Sequence, residues 1–334
     1  MKRYGAMIFL AALACTGGDD DEEPGPLRFD VELEGLEPAM LAIHPIEGSG
    51  DLLAVGGPFT QEGDPALYRK SGAAWSEVAS PPAWEGAAWW SWSAAEDDIW
   101  VVGDRAQIAR GAIGSMSIVP TNTSTETVFY GVWGAAADDV WIVGGSARPP
   151  LGPQGVILHW DGSALSRVEP TGTASVALEA AMFKVWGTGP DDVFVVGAFG
   201  VAIHWDGSSW TRTETNIEAQ LTTVHGRASD DVYAVGGFNQ GIVLHWDGSA
   251  WTDIAEPFVP RISGVYVQPD GPVWVAGDGG YLASWDGNTW TSIDTRVLQQ
   301  FHAVYADAID VYGVGGILAI SSAPREGFVG RYGR

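Results

Sequence analysis

Three histidines share one context, His-Trp-Asp-Gly, at His159, His204 and His245. Imidazole is the commonest metal ligand and the side chain that titrates nearest neutrality, so such a set invites a metal or general-base reading. Their spacing argues otherwise. They recur at one position of a repeat, and the same position elsewhere carries Arg69, Arg110, Ser284 and Arg331. Side chains supplied once per structural unit do not converge on one ion, so hydrogen bonding inside each unit is the expected role. The acidic pairs Asp97/Asp98, Asp138/Asp139, Asp191/Asp192 and Asp230/Asp231 could hold Ca²⁺, but they too fall once per unit, between two strand-like runs. There Asp bonds its own backbone, so turn chemistry is expected, with calcium as the alternative. No cofactor is identified and no metal site is assigned.

Nothing in the chain resembles a nucleophile elbow, a phosphate loop or a His-Glu-x-x-His helix. Carboxylate pairs are plentiful in a chain with 42 acidic residues, so they neither support nor exclude a glycosidase. The 17 basic residues leave a net charge of −25, which argues against a nucleic acid partner. One cysteine in 334 residues permits no internal disulfide and no multi-cysteine zinc site. No catalytic residue is assigned, and an enzyme lacks a positive signal.

The elements that carry these residues are short strands in a repeat of the form strand, W-G-x-x-x-D-D-V-W-x-V-G, strand, H-W-D-G-x-x-W, strand. A glycine ending the second strand marks each unit at Gly56, Gly103, Gly144, Gly197, Gly236, Gly277 and Gly315, and the marks stand 47, 41, 53, 39, 41 and 38 residues apart. One four-stranded propeller blade takes roughly 40–50 residues. The expected fold is therefore all-β, a seven-bladed β-propeller with four-stranded blades. Asp161-Gly162, Asp206-Gly207, Asp247-Gly248 and Asp286-Gly287 read as hairpin turns between third and fourth strands. The last unit stops one strand short, after residues 327–332, while residues 27–33 (LRFDVEL) alternate without a partner. An N-terminal strand closing the last blade accounts for both.

Over about residues 27–334 the repeats resemble those of bacterial propellers with Asp-box or kelch-like blades. Residues 284–290 (SWDGNTW) are similar to the Asp-box pattern S-x-D-x-G-x-T-W, one residue short, and Gly236-Gly237 followed by Trp246 and Trp251 is similar to kelch without its spacing. Propellers host many functions, so the resemblance implies architecture and no activity.

The N-terminus resembles a bacterial lipoprotein signal. Lys2 and Arg3 precede an apolar stretch over residues 4–14, and Ala12-Leu13-Ala14-Cys15 sets the lone cysteine after small residues. The resemblance implies removal of residues 1–14, lipidation of Cys15, and a propeller held by an acidic Gly/Pro tether over residues 15–26. An ordinary secretory signal is the alternative, and either exports the chain. Thr16 after the cysteine points to the outer membrane. The expected location is thus the bacterial cell envelope, reached through the lipid anchor alone, with a monomeric propeller.

Function belongs to variable loops on a rigid scaffold. In a propeller the second-to-third loops share one face with the blade-to-blade links. Here that face is the variable one, with long segments at 58–64, 115–127, 146–154 and 169–181, so the binding face is placed there, around the channel mouth. Fourteen of the 17 tryptophans sit at repeat positions and read as blade-to-blade packing. Trp84, Trp89 and Trp90 do not, and they are the candidate contacts for a sugar or a peptide. A local hydrophobic plug sealing the first blade is the plainer reading and is favoured over it. Three functions follow: a binding module for a protein or glycan, which leads; a carbohydrate-active hydrolase, if three or more charged side chains from different blades meet in the channel mouth; and an envelope-assembly scaffold, if the variable face is flat and apolar.

Overall fold

The computed structural model describes residues 26–58, 63–146, 155–317 and 326–334. The signal, Cys15 and the tether up to Gly25 lie outside these residues, as do most of the variable segments 58–64 and 146–154. The described chain forms seven four-stranded antiparallel sheets, six of them built from consecutive strands. The inner strands, which surround the central channel, are Ala39–Ile46, Ala88–Ala95, Val128–Ala136, Met182–Gly189, Leu221–Ala228, Ile262–Val267 and Gln300–Ala306, for blades 1 to 7 in order.

The seven marking glycines have a steric cause. A Cβ on Gly56, Gly103, Gly144, Gly197, Gly236, Gly277 or Gly315 would lie 1.8–2.4 Å from the carbonyl oxygen at the start of the same blade's inner strand. The inner strand carries a bulge immediately after each of these pairings, as at Leu221/Thr223 and Phe301/Ala303. The repeat therefore keeps glycine for close backbone approach, and the bulge sends one extra residue per blade towards the channel.

Blade 7 closes with strand Arg28–Leu36, which pairs antiparallel with Gly327–Gly333 from Arg28 opposite Gly333 to Leu36 opposite Gly327. Glu32 on this strand also ties blade 7 to blade 1. Its carboxylate accepts from Arg331 Nε at 3.0 Å on one side, and from Lys70 Nζ at 2.6 Å and Trp75 Nε1 at 2.7 Å on the other.

Tryptophan fills the wedge between blades. Trp100 of blade 2 meets Trp160 of blade 3 at 5.9 Å, Trp141 of blade 3 meets Trp210 of blade 4 at 5.4 Å, and Phe194 of blade 4 meets Trp251 of blade 5 at 6.3 Å. The three histidines pair within their own blades: His159 with Asp139 at 2.5 Å, His204 with Asp192 at 2.6 Å and His245 with Asp231 at 2.9 Å. Arg69, Arg110 and Arg331 make the same contact to Asp51, Asp98 and Asp310. In blade 6 Pro272 stands where the aspartate would be, and the partner position is Ser284. The Asp-Gly turns take positive φ at Gly162, Gly207, Gly248 and Gly287, and each preceding Asp accepts backbone N–H groups two and three residues on. These turns and the Asp-Asp turns gather acidic charge on one face. The opposite face carries the second-to-third loops and the links, which bond to each other, as in Ala106 N to Thr127 O at 2.7 Å and Gly280 N to Gln299 O at 2.8 Å.

Candidate functional site

The bulge residues of the inner strands are Leu41, Trp89, Tyr130, Phe183, Thr222, Ser263 and His302, one per blade. All seven line a cavity of about 250 Å³ at the end of the channel where the inner strands begin, on the face of loops and links. The ring is divided. Blades 1 to 4 contribute Leu41 and an edge-to-face aromatic row, with Trp89 4.9 Å from Tyr130 and Tyr130 5.3 Å from Phe183. Blades 5 to 7 contribute Thr222, Ser263 and His302, extended by Gln220, Thr223 and Arg261. Such a cavity, mainly apolar with a few placed polar groups, suits a ligand end that is itself part apolar and part polar.

The structure separates the three candidate tryptophans. Trp84 is 3% exposed, packs in the core between blades 1 and 2, and donates from Nε1 to Gly86 O at 3.2 Å. It is a plug, and Gly103 stays open to admit it, since a Cβ there would lie 2.6 Å from the Trp84 ring. Trp89 and Trp90 both line the cavity. The Trp89 indole is held by Asp104, whose Oδ1 accepts from Nε1 at 2.9 Å while Oδ2 accepts from Ala87 N at 2.9 Å. Burial raises the Asp104 carboxyl above the ordinary range, outweighing these bonds. Gly86, at φ +90°, is needed beside it because a Cβ would stand 2.8 Å from the Asp104 carboxylate.

One residue after the bulge, five blades carry a small side chain, Ala42, Gly131, Thr223, Gly264 and Ala303, and the other two carry Trp90 and Lys184. Lys184 is 8% exposed. Its Nζ lies 4.0 Å from the centre of the Trp90 ring and donates to Tyr130 O at 2.8 Å. Among the described residues no carboxylate forms an ion pair with it, and burial lowers its pKa to about 7. Burial likewise holds His302 neutral, with a pKa of about 4, while Arg261 is paired to Asp278 at 2.9 Å. In a strongly acidic chain, the described lining of this cavity has three basic groups and no carboxylate.

The same face of loops and links exposes large apolar side chains. Phe199 (69% exposed), Phe238 (60%), Phe258 (93%) and Leu298 (88%) lie in the second-to-third loops of blades 4 and 5 and in the links from blade 5 to 6 and from 6 to 7. Phe199 and Phe258 hold positive φ, 57° and 66°. In the corresponding loop of blade 6 the residue with φ +65° is Gly279, for which that backbone carries no penalty. Arg105 holds φ 59° in the same turn of blade 2, so at Phe199 this backbone belongs to the repeat, and the exposed phenylalanine is what adds apolar surface to the face.

Sequence reasoning finds Trp89 and Trp90 because they break the repeat. It passes over Lys184, although aligning the seven inner strands shows it as the one charge at a position otherwise small or Trp. The exposed Phe and Leu residues have no periodic signal, since they sit in loops of unequal length.

A scan of protein-family profiles and a search of the curated proteins return no match. Solved structures do match in fold. The chain is similar to U3-55K (TM-score 0.69, 12% identity, covering 92% of this chain and 98% of that one) and to YCF48 from Cyanidioschyzon merolae (0.64, 14%, 92% and 98%). It is also similar to YCF48 bound to D1 peptide (0.51, 18%, 72% and 89%). The WD40 propeller domain of Doa1 is a further neighbour, at TM-score 0.63 and 9% identity over 90% of this chain and 96% of that domain. At these identities the likeness carries the seven-bladed propeller fold, which is compatible with a protein-binding module.

Proposed function

We propose that this protein is an exported propeller, anchored in a bacterial envelope through Cys15, that binds a protein partner on its variable face. The observation that carries the binding reading is the exposure of Phe199, Phe238, Phe258 and Leu298 on the same loop-and-link face onto which the aromatic cavity opens. Exposed aromatics over a desolvated pocket are the usual composition of a contact hot spot. A neighbour of the same fold, YCF48, has been solved with a peptide, which supports a peptide-bearing partner. The scaffold reading needs a flat face, and this one has a cavity. The hydrolase reading finds three basic side chains from different blades in Lys184, Arg261 and His302, of which His302 is neutral. Most glycoside hydrolysis, however, uses paired carboxylates, which the described lining does not contain.

Anchoring is supported by Lys2, Arg3, the apolar stretch 4–14 and Cys15 alone. Fractionation of cells tests it: Cys15→Ser should move the protein out of the membrane fraction, and unchanged membrane association would refute the anchor. For binding, protein immobilised in envelope extract is compared with Trp89→Ala and with the double variant Phe199→Ser/Phe258→Ser. Loss of the same partners from both variants is expected, and equal recovery by all three proteins would overturn the site.

A further inference from the structure

The cavity at the mouth has three properties that together describe its ligand. It is small, about 250 Å³, enough for one large side chain and a few polar atoms. Below it the inner strands crowd the axis: Lys184 Nζ of blade 4 reaches past blade 3 to within 4.0 Å of the centre of the Trp90 ring of blade 2, Trp90 lies edge-on to His44 of blade 1 at 4.5 Å, and His225, Tyr266 and Tyr305 pack in series on blades 5, 6 and 7. A pocket this small, narrowed below by that crowding, suits the end of a chain. Finally, its lining contains Lys184, an ammonium with three donors of which Tyr130 O takes one. The other contact is the Trp90 ring face, which attracts a cation but neutralises no charge. The cavity therefore has an apolar wall, a polar wall and a cation with donors to spare.

On the binding reading above, we propose that the mouth cavity receives the C-terminus of a peptide partner. The terminal carboxylate sits on Lys184 Nζ, and the last side chain, aromatic or large aliphatic, packs on Trp89, Tyr130 and Phe183. Gln220 and Ser263 on the opposite wall offer hydrogen-bonding groups to the last peptide units. Across the channel Lys184 adds to the burial that lowers His44 of blade 1 to about 3 and His302 of blade 7 to about 4, so both stay neutral, and Lys184 itself is shifted by burial alone. A carboxylate arriving beside Lys184 favours its charged form, so binding above neutral pH takes up a proton.

The test uses two pools of N-acetylated hexapeptides randomised over their last three residues, one with free C-termini and one amidated, with N-acetylphenylalanine as a small-molecule arm. They are passed over the wild-type protein and the Lys184→Met and Lys184→Gln variants, whose folding is checked by thermal melting. The wild type should retain free-acid peptides ending in Phe, Tyr, Trp or Leu at least tenfold over their amides. Both variants should lose that preference, and calorimetry of a retained peptide at pH 8 should show net proton uptake in the wild type alone. Equal retention of acids and amides, no retention from either pool, or a preference unchanged in both variants would overturn the proposal. So would amidated peptides with an internal acidic residue binding as well, or N-acetylphenylalanine binding as tightly as the hexapeptides. Because Phe258 and Phe199 lie outside the cavity, partner contacts that map to them while the pools fail would remove this anchor and leave the binding reading standing.

Discussion

Lys184 Nζ stands 4.0 Å from the centre of the Trp90 ring, and these two side chains occupy the axial space that small residues leave open on the other five blades. The ring faces the charge where a carboxylate would otherwise balance it, so the folded protein carries a buried cation at a cost. Burial lowers the Lys184 pKa from 10.5 to about 7, so between those values the unfolded chain binds the extra proton. Stability from this group therefore rises with pH over that interval, and the cost is full below pH 7, at about 1.4 kcal/mol per pKa unit. Urea denaturation at pH 6.5, 8 and 9.5 should show Lys184→Met gaining most on the wild type at pH 6.5, with the gap narrowing at each step. Parallel pH profiles would contradict it.

Ring closure rests on Glu32. Burial pushes its carboxyl up, but the Lys70 and Trp75 hydrogen bonds and the Lys70 and Arg331 charges outweigh this and hold it below the ordinary value of 4.5. Glu32→Gln leaves Lys70, whose side chain is 8% exposed, without its anion. A loss of about 2–3 kcal/mol is expected, since removing one partner of a buried pair strands the other. The difference from wild type should be full above pH 4.5 and fade as pH falls through the lowered value. Chemical denaturation at pH 7 and pH 3.5 measures both, and a loss persisting unchanged at pH 3.5 would count against the ionic link.

The marking glycines should tolerate no side chain. Gly236→Ala would set a Cβ 1.9 Å from Gln220 O, a backbone atom fixed by its own sheet. A loss of about 3 kcal/mol is expected. Gly287→Ala meets nothing within 4 Å but must hold φ +96°, and should cost about 1 kcal/mol. Thermal melting of the two variants decides the order.

The histidines are predicted to be exchangeable for the residue that replaces them elsewhere in the chain. His204 stacks on Phe194 at 4.3 Å and pairs with Asp192, as Arg110 lies 4.6 Å over Trp100 and pairs with Asp98. His204→Arg should therefore change stability by less than about 1 kcal/mol, while His204→Ala leaves Asp192 with the Thr188 hydroxyl but no partner for its Oδ1 and should cost about 1–2 kcal/mol. Equal losses would show that the pairing contributes nothing.

How much of this is legible in the sequence follows from what repeats. Gly236, His245 and Asp247 recur because blade after blade needs the same close approach, pair and turn, so blade count, strand order and a closing N-terminal strand, read at residues 27–33 and formed by Arg28–Leu36, are legible in the chain. Trp89 and Trp90 are visible as exceptions to the repeat. Trp84 looks like them in sequence but is buried, because its environment depends on Gly103, nineteen residues away across the blade, which no local pattern encodes. Lys184 and Phe258 are hidden for a related reason. A bulge decides that inner-strand side chains face the channel, and a bulge is a matter of register, while the exposure of a loop phenylalanine depends on what fails to cover it.

The most direct test of partner binding on the variable face is photo-crosslinking in cells, with a benzophenone amino acid placed at Phe199, Phe258 or Leu298 on that face and at Ile309, 84% exposed in a first-to-second turn, on the other. The account predicts discrete protein adducts from the first three positions, lost when Trp89→Ala is added, and none from Ile309. Adducts from Ile309 alone, or equal adducts from both faces, would contradict it.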